Sequence, residues 1–284
     1  MLKKIFFAAA LLLASELNAK PVVIASIAPV EYLAKAVGGD KIEVQSLAKG
    51  DVHSYEPKPD DMKAVAKARI FIAAGLEFEE AWIPRFKASA KNLVVVKSDA
   101  KIAKLKEERG EQVEHDEKHE AHADPHVWLN PMLAITMARN ISDALIDMDK
   151  ANKDFYLENF QKLMNDLLAF DESAKESLAG LKNRKFVVYH PAWGYFAAHY
   201  DLEQISIERS GKEPKIDEMA STLKMIKDEN IKVIFADPNR SQKSAQILAS
   251  QTGAKVELLD PLGYNLLENL KIAVGAIKDA NSPK

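Results

Sequence analysis

VVIASIAPVEY, residues 22–32, reads as a strand running straight into a helix. Residues 22–27 are short, rich in β-branched side chains and apolar on both faces, as a strand covered from both sides of a parallel sheet must be. From 30 to 37 apolar residues recur at helical spacing and stop at Gly38-Gly39, a helix end. An echo stands at 185–195, KFVVYHPAWGY, again a strand, a proline and a helix-opening tyrosine. Working outward from the first copy, strands are expected at 42–47, 70–73 and 93–96, with helices at 59–68 and 79–90; Pro57 and Pro59 mark the entry to the first of these. From the second copy, helices are expected at 193–200, 216–229, 241–252 and 265–279, and strands at 202–206, 232–236 and 255–259. Ile216, Met219, Leu223 and Ile226 form the inner face of the 216–229 helix. Strict strand–helix alternation predicts an α/β protein of two lobes, each a mainly parallel sheet flanked by helices.

Between the lobes Asn130 serves as a cap and Pro131 as the first residue of a helix reaching about 148. Residues 152–180 then form one long amphipathic helix, with Phe155, Phe160, Leu163, Met164, Leu167 and Leu168 on a single stripe. A continuous helix is a stiff connector. The expected organisation is therefore 20–150 as the first lobe, 151–181 as the connecting helix and 182–284 as the second lobe. Within the first lobe the pattern collapses at 101–125, KIAKLKEERGEQVEHDEKHEAHADP, a charged stretch read as a mobile surface loop.

The chain has 284 residues, 47% apolar and 29% charged, an ordinary globular composition. Its 39 basic and 42 acidic side chains leave a net charge of −3, without the basic excess of a nucleic-acid binder. It has no cysteine, which excludes disulfides, thiolate metal sites, iron–sulfur clusters, a cysteine nucleophile and a lipidated cysteine. A soft-metal site must then use histidine and carboxylate. The start is a different material: Met1-Leu2-Lys3-Lys4, then IFFAAALLLA at 5–14, then a polar stretch closing on Ala19. This is the order of an export signal, and about ten apolar residues are too few for ~30 Å of hydrocarbon. Cleavage after Ala19 would remove Lys3, Lys4 and Glu16 and leave a mature charge of −4. The mature chain is expected in the periplasm, monomeric and not inserted in the membrane.

Four polar residues stand where an α/β sheet places ligands, beyond the carboxyl ends of strands or at a loop–helix junction. His53 follows the 42–47 strand, His190 follows the 186–189 strand directly, and Asp260 follows the 255–259 strand; His126 lies where the acidic loop meets the next helix. Each lobe supplies two of them, so a cleft between the lobes would gather three imidazoles and a carboxylate, a tetrahedral zinc shell. Asp237-Pro238 also follows a strand and rivals Asp260-Pro261, while His199, inside a helix beside Tyr200, is read as structural.

Four motifs, in order, carry a resemblance: GDVHSYEP at 50–57, DPHVWLNP at 124–131, YHPAWGYF at 189–196 and LDPLG at 259–263. Over about residues 20–284 the chain resembles the zinc-type metal-binding (solute-binding) proteins of bacterial ABC importers, within the group that also holds manganese- and iron-type members. The resemblance implies two α/β lobes bridged by a rigid helix and a Zn2+ cargo held in the cleft. It implies His53, His126, His190 and Asp260 as ligands, and delivery to a membrane permease with its cytoplasmic ATPase. Zinc-type relatives often carry a long histidine-rich loop; here it is modest, His115, His119 and His122 among acidic residues, read as a secondary weak metal loop or as a solvated linker. Histidine at 190 gives a nitrogen-rich shell suited to Zn2+, where manganese-type relatives place a carboxylate. Imidazoles coordinate only when neutral, so affinity is expected to fall as pH drops through ~6.5. Two alternatives stand beside this reading: a manganese/iron-type binder, and an exported zinc hydrolase with Glu56 as base, for which no H-E-x-x-H motif exists.

Overall fold

Strand β1 (Val22–Ala25) is the hub of the first lobe. It pairs in parallel with β2 (Glu43–Ser46) on one side and β3 (Ile70–Ala73) on the other, and β4 (Val94–Lys97) adds to β3. The order is β2-β1-β3-β4. The connections are α1 (Ala28–Gly38), α2 (Pro59–Ala66) and α3 (Glu77–Ser89). β1 and β3 are central and almost wholly buried, which is why they read as continuous apolar runs; β2 and β4 are half-exposed edges. This computed structural model describes residues 20–106, 123–208 and 214–281, without the Ile216 side chain. The expected export signal at 1–19 and His115, His119 and His122 lie outside the described residues.

Helix α4 (Pro131–Met148) begins as its sequence dictates: the Asn130 side chain accepts hydrogen bonds from the backbone N–H of Met132 and Leu133, and Pro131 sits where no N–H is needed. Helix α5 (Lys153–Ala179) has 27 residues, about 40 Å at 1.5 Å per residue. It packs most extensively on α4, and also on α1. Its buried stripe is Tyr156, Phe160, Leu163, Leu167, Phe170, Ala174 and Leu178. Leu168, expected on that stripe, is exposed. Neighbouring residues stand about 100° apart on a helix, so the spacing that buries Leu167 turns Leu168 outward.

The second lobe repeats the first. β5 (Lys185–Val188), α6 (Gly194–His199), β6 (Glu203–Ser206), α7 (Ile216–Asp228), β7 (Val233–Ala236), α8 (Lys243–Thr252) and β8 (Lys255–Leu258) build a parallel sheet of order β6-β5-β7-β8. The C-terminal helix α9 (Leu266–Asn281) packs back on α5. In both sheets the strand order reverses beside the first strand, which opens a crevice at its carboxyl end.

One apolar core runs without interruption from Ile24 and Phe71 in the first sheet, through Trp128, Leu145 and Leu163, to Phe186, Trp193 and Phe235 in the second. A smaller cluster, including Val187, Ile226, Ile234 and Leu248, covers the other face of the second sheet. Trp128 Nε1 donates to the carbonyl of Pro261 at 2.8 Å, a further tie between the lobes. His199 is structural, as expected: its Nε2 lies 2.6 Å from Asp171 Oδ1 and joins α6 to α5.

Candidate metal centre

Two of the three site histidines are aimed by the same local device. Asp51-Val52-His53 and Asp124-Pro125-His126 are both Asp-x-His turns, in which the aspartate Oδ1 accepts the histidine backbone N–H, at 3.2 Å and 2.9 Å. His53 sits in the β2–α2 connection, His126 just before the Val127–Leu129 turn that leads into α4. His190 lies two residues beyond β5, at the crevice where the second sheet reverses.

The structure brings these three imidazoles together. Their ligand atoms lie within 4.8 Å of one another, and among the described residues they form the group of histidine and acidic side chains that could hold a metal ion. His190 Nε2 is 3.2 Å from His53 Nε2 and 3.4 Å from His126 Nε2. Zinc–nitrogen bonds of 2.0–2.1 Å in a tetrahedron place neighbouring ligand atoms about 3.3–3.4 Å apart. His126 and His190 are buried and His53 half-buried. The His126 ring packs beside Trp128, with centroids 5.3 Å apart.

Carboxylates hold the outer nitrogens. His126 Nδ1 is 2.7 Å from Asp124 Oδ1, and His190 Nδ1 is 3.2 Å from Glu208 Oε2. With Nδ1–H donating outward, each Nε2 presents its lone pair to the centre. Arg240 lies behind His190: its Nη1 donates to Glu208 and is 3.2 Å from His190 Nδ1, and its Nη2 donates to Asp51 Oδ1 at 3.1 Å. Burial lowers the pKa of His53 to about 3, helped by the two other imidazoles and the Arg240 charge and opposed by Asp51. Burial lowers that of His190 as well, against the pull of Glu208. Burial works to raise Asp51 and Glu208, but their bonds to Arg240 and their other partners outweigh it and hold both below the usual carboxylate range.

Asp260 does not join the three imidazoles. Its Oδ1 accepts from Asn239 Nδ2 at 3.0 Å and from the Leu262 N–H at 2.8 Å, so it serves the turn that follows β8. The rival Asp237 is buried and bonded to the Asn239 backbone N–H at 2.7 Å. Glu56 is exposed. A cavity of about 330 Å³ adjoins the centre, lined by Asp124, His126, His190, Gly194 and Gln204. Sequence reasoning quoted Asp51 and Asp124 inside the site motifs and gave neither a role; the repeated Asp-x-His was the available signal. Glu208 and Arg240 are single polar residues in connections, with no local pattern to single them out.

The family model described as "Zinc-uptake complex component A periplasmic", ZnuA, matches residues 23–280. The high-affinity zinc uptake system protein ZnuA of Bacillus subtilis (strain 168) is 30% identical over 279 residues, 91% of this chain and 86% of the relative. A crystal structure of ZnuA superposes with a TM-score of 0.87 at 35% identity, covering 93% of this chain and 100% of that one. A ZnuA deletion mutant with zinc bound gives 0.86 at 34% identity, covering 94% and 100%.

Proposed function

The chain belongs to the family of zinc-uptake complex component A, the ZnuA proteins, and from that membership we propose that His53, His126 and His190 grip Zn2+ as cargo between the lobes. It is a zinc-binding component of an ABC importer. In this reading the chain works in the periplasm as a monomer, collects Zn2+ there and passes it to a membrane permease driven by a cytoplasmic ATPase.

The observation that carries the site assignment is the Nε2 spacing of 3.2 Å and 3.4 Å, the edge length of a tetrahedral zinc shell. Three lone pairs that close repel one another, and a dication at the centre relieves the repulsion. The imidazoles of His53 and His190 are held neutral by burial, the form that coordinates. The carboxylates on Nδ1 of His126 and His190 fix the tautomer and make the ligands more basic. The fourth position falls to a water molecule; Asp260 would have to give up its bonds to Asn239 and Leu262 to take it. Three imidazole nitrogens as the protein's donors favour Zn2+ over the harder Mn2+. The hydrolase alternative lacks support, since Glu56 is exposed and stands outside the cluster.

The test is competition for zinc against a chelator of known affinity. His190→Ala should weaken binding by more than the ~10–100-fold that loss of an outer-shell partner costs. Unchanged affinity in this variant would remove the site assignment.

A further inference from the structure

We propose that Arg240 is a positioning residue, the latch that holds the His53 loop onto the second lobe and sets how long bound zinc stays. The inference rests on the zinc site proposed above and assigns one of its neighbours a kinetic role.

His126 and His190 each have a carboxylate on Nδ1, whereas among the described residues His53 has none there. His53 is held instead through its backbone: its N–H donates to Asp51 Oδ1, and the same oxygen accepts from Arg240 Nη2. Arg240 stands in the β7–α8 connection of the second lobe, and its other terminal nitrogen, Nη1, donates to Glu208, the partner of His190. A single guanidinium thus joins the outer partner of His190 in one lobe to the turn that aims His53 in the other. Its side chain is 13% exposed and that of Asp51 35%, so the bond is only partly screened by solvent, and the buried guanidinium would lose its second carboxylate if the bond broke. The planar fork of arginine reaches two carboxylates at once, which an ammonium does less well.

Zinc cannot leave until one ligand swings away. His126 and His190 are buried, and His53 is the most exposed of the three, on a loop with solvent beside it. Departure therefore begins with His53, and the Arg240–Asp51 bond opposes it. The latch acts on dissociation, the rate on which most affinity tuning falls.

The experiment is stopped-flow release of zinc into excess chelator from the full mature chain and from Arg240→Gln, Asp51→Asn and the double variant. Each single change should raise the dissociation rate about ten- to a hundredfold. Association should change little, and the double variant should release no faster than the faster single one, because both changes break one contact. Arg240→Lys, which keeps the charge but loses the fork, should fall in between. Asp51 lies in a partly exposed turn, so Asp51→Asn keeps the measurement decisive if Arg240→Gln is poorly folded. Native dissociation rates in both single variants, or effects that multiply in the double, would overturn the latch. His190→Ala measured alongside separates the two readings: if it binds zinc like the native chain, the site itself is wrong. If only His190→Ala loses zinc and the latch variants do not, the site stands and the latch falls.

Discussion

Burial decides what His53 can do with a proton. An unfolded chain protonates it near its ordinary value of 6.5, whereas the folded chain resists until about pH 3. Above 6.5 the side chain is neutral in both states and pH has no hold on it. Between 6.5 and about 3 only the unfolded state takes the proton, so the stability of the metal-free chain falls as pH falls through this window. His190 acts in the same direction. In the metal-free chain the His53 ring resonances should therefore stay flat in an NMR titration from about pH 7.5 to about pH 5; a midpoint near ~6.5 would contradict the depressed value. The three imidazoles were legible in the sequence because each sits beside a strand end or a helix start in a distinctive motif. Their supports were not, since Glu208 and Arg240 acquire a role only when the second lobe folds and brings separate connections face to face. The misplacement of Leu168 has a simpler origin: Leu167 and Leu168 cannot share one narrow stripe, and only packing shows which of them wins.

At the scale of elements, most of the alternation was readable. β1, β3, β5 and β7 are central and largely buried; β1, β3 and β7 are apolar throughout, and β5 is apolar after Lys185. The edge strands β2 and β8 have exposed residues, and only their position between helices marks them. Asn130-Pro131 marked the start of α4 because its chemistry is local: a side-chain acceptor for two orphan N–H groups and a residue without a donor. The charged segment before it is rooted close to the centre. Lys106 and Ala123 form an antiparallel bridge, and the Tyr195 hydroxyl accepts from the Leu105 N–H and donates to the Asp124 carbonyl, both at 2.8 Å. His126 thus lies beyond a clamp that closes both ends of the segment. Deleting residues 111–122 should leave the tight zinc phase intact and remove weaker zinc equivalents, as read by titration calorimetry. Chelation that orders a chain segment costs conformational entropy, so sites within 111–122 should be the weaker ones. Loss of the tight phase would show that the segment supplies a primary ligand, and unchanged stoichiometry would show that it binds nothing.

At the scale of the molecule, the two sheets share a single apolar core through α4, α5 and α9, unlike two domains hinged on a flexible linker. Separating them would expose Trp128, Phe186 and Trp193, each 0–2% exposed, and break the Trp128–Pro261 hydrogen bond. Zinc capture should therefore proceed by movement of the His53 loop, with the lobes fixed. Small-angle X-ray scattering should give radii of gyration for the metal-free and zinc-loaded chain within about 1 Å, the range of pre-organised binding. A larger contraction would show the lobes closing as hinged bodies. The central claim, that zinc sits among three imidazoles between the lobes, is tested most directly by anomalous X-ray diffraction at the zinc edge on crystals of protein purified without added metal. The account predicts one strong peak about 2.0–2.1 Å from the Nε2 atoms of His53, His126 and His190. A peak elsewhere, for instance between Asp237 and Asp260, with none at the imidazoles, would contradict it.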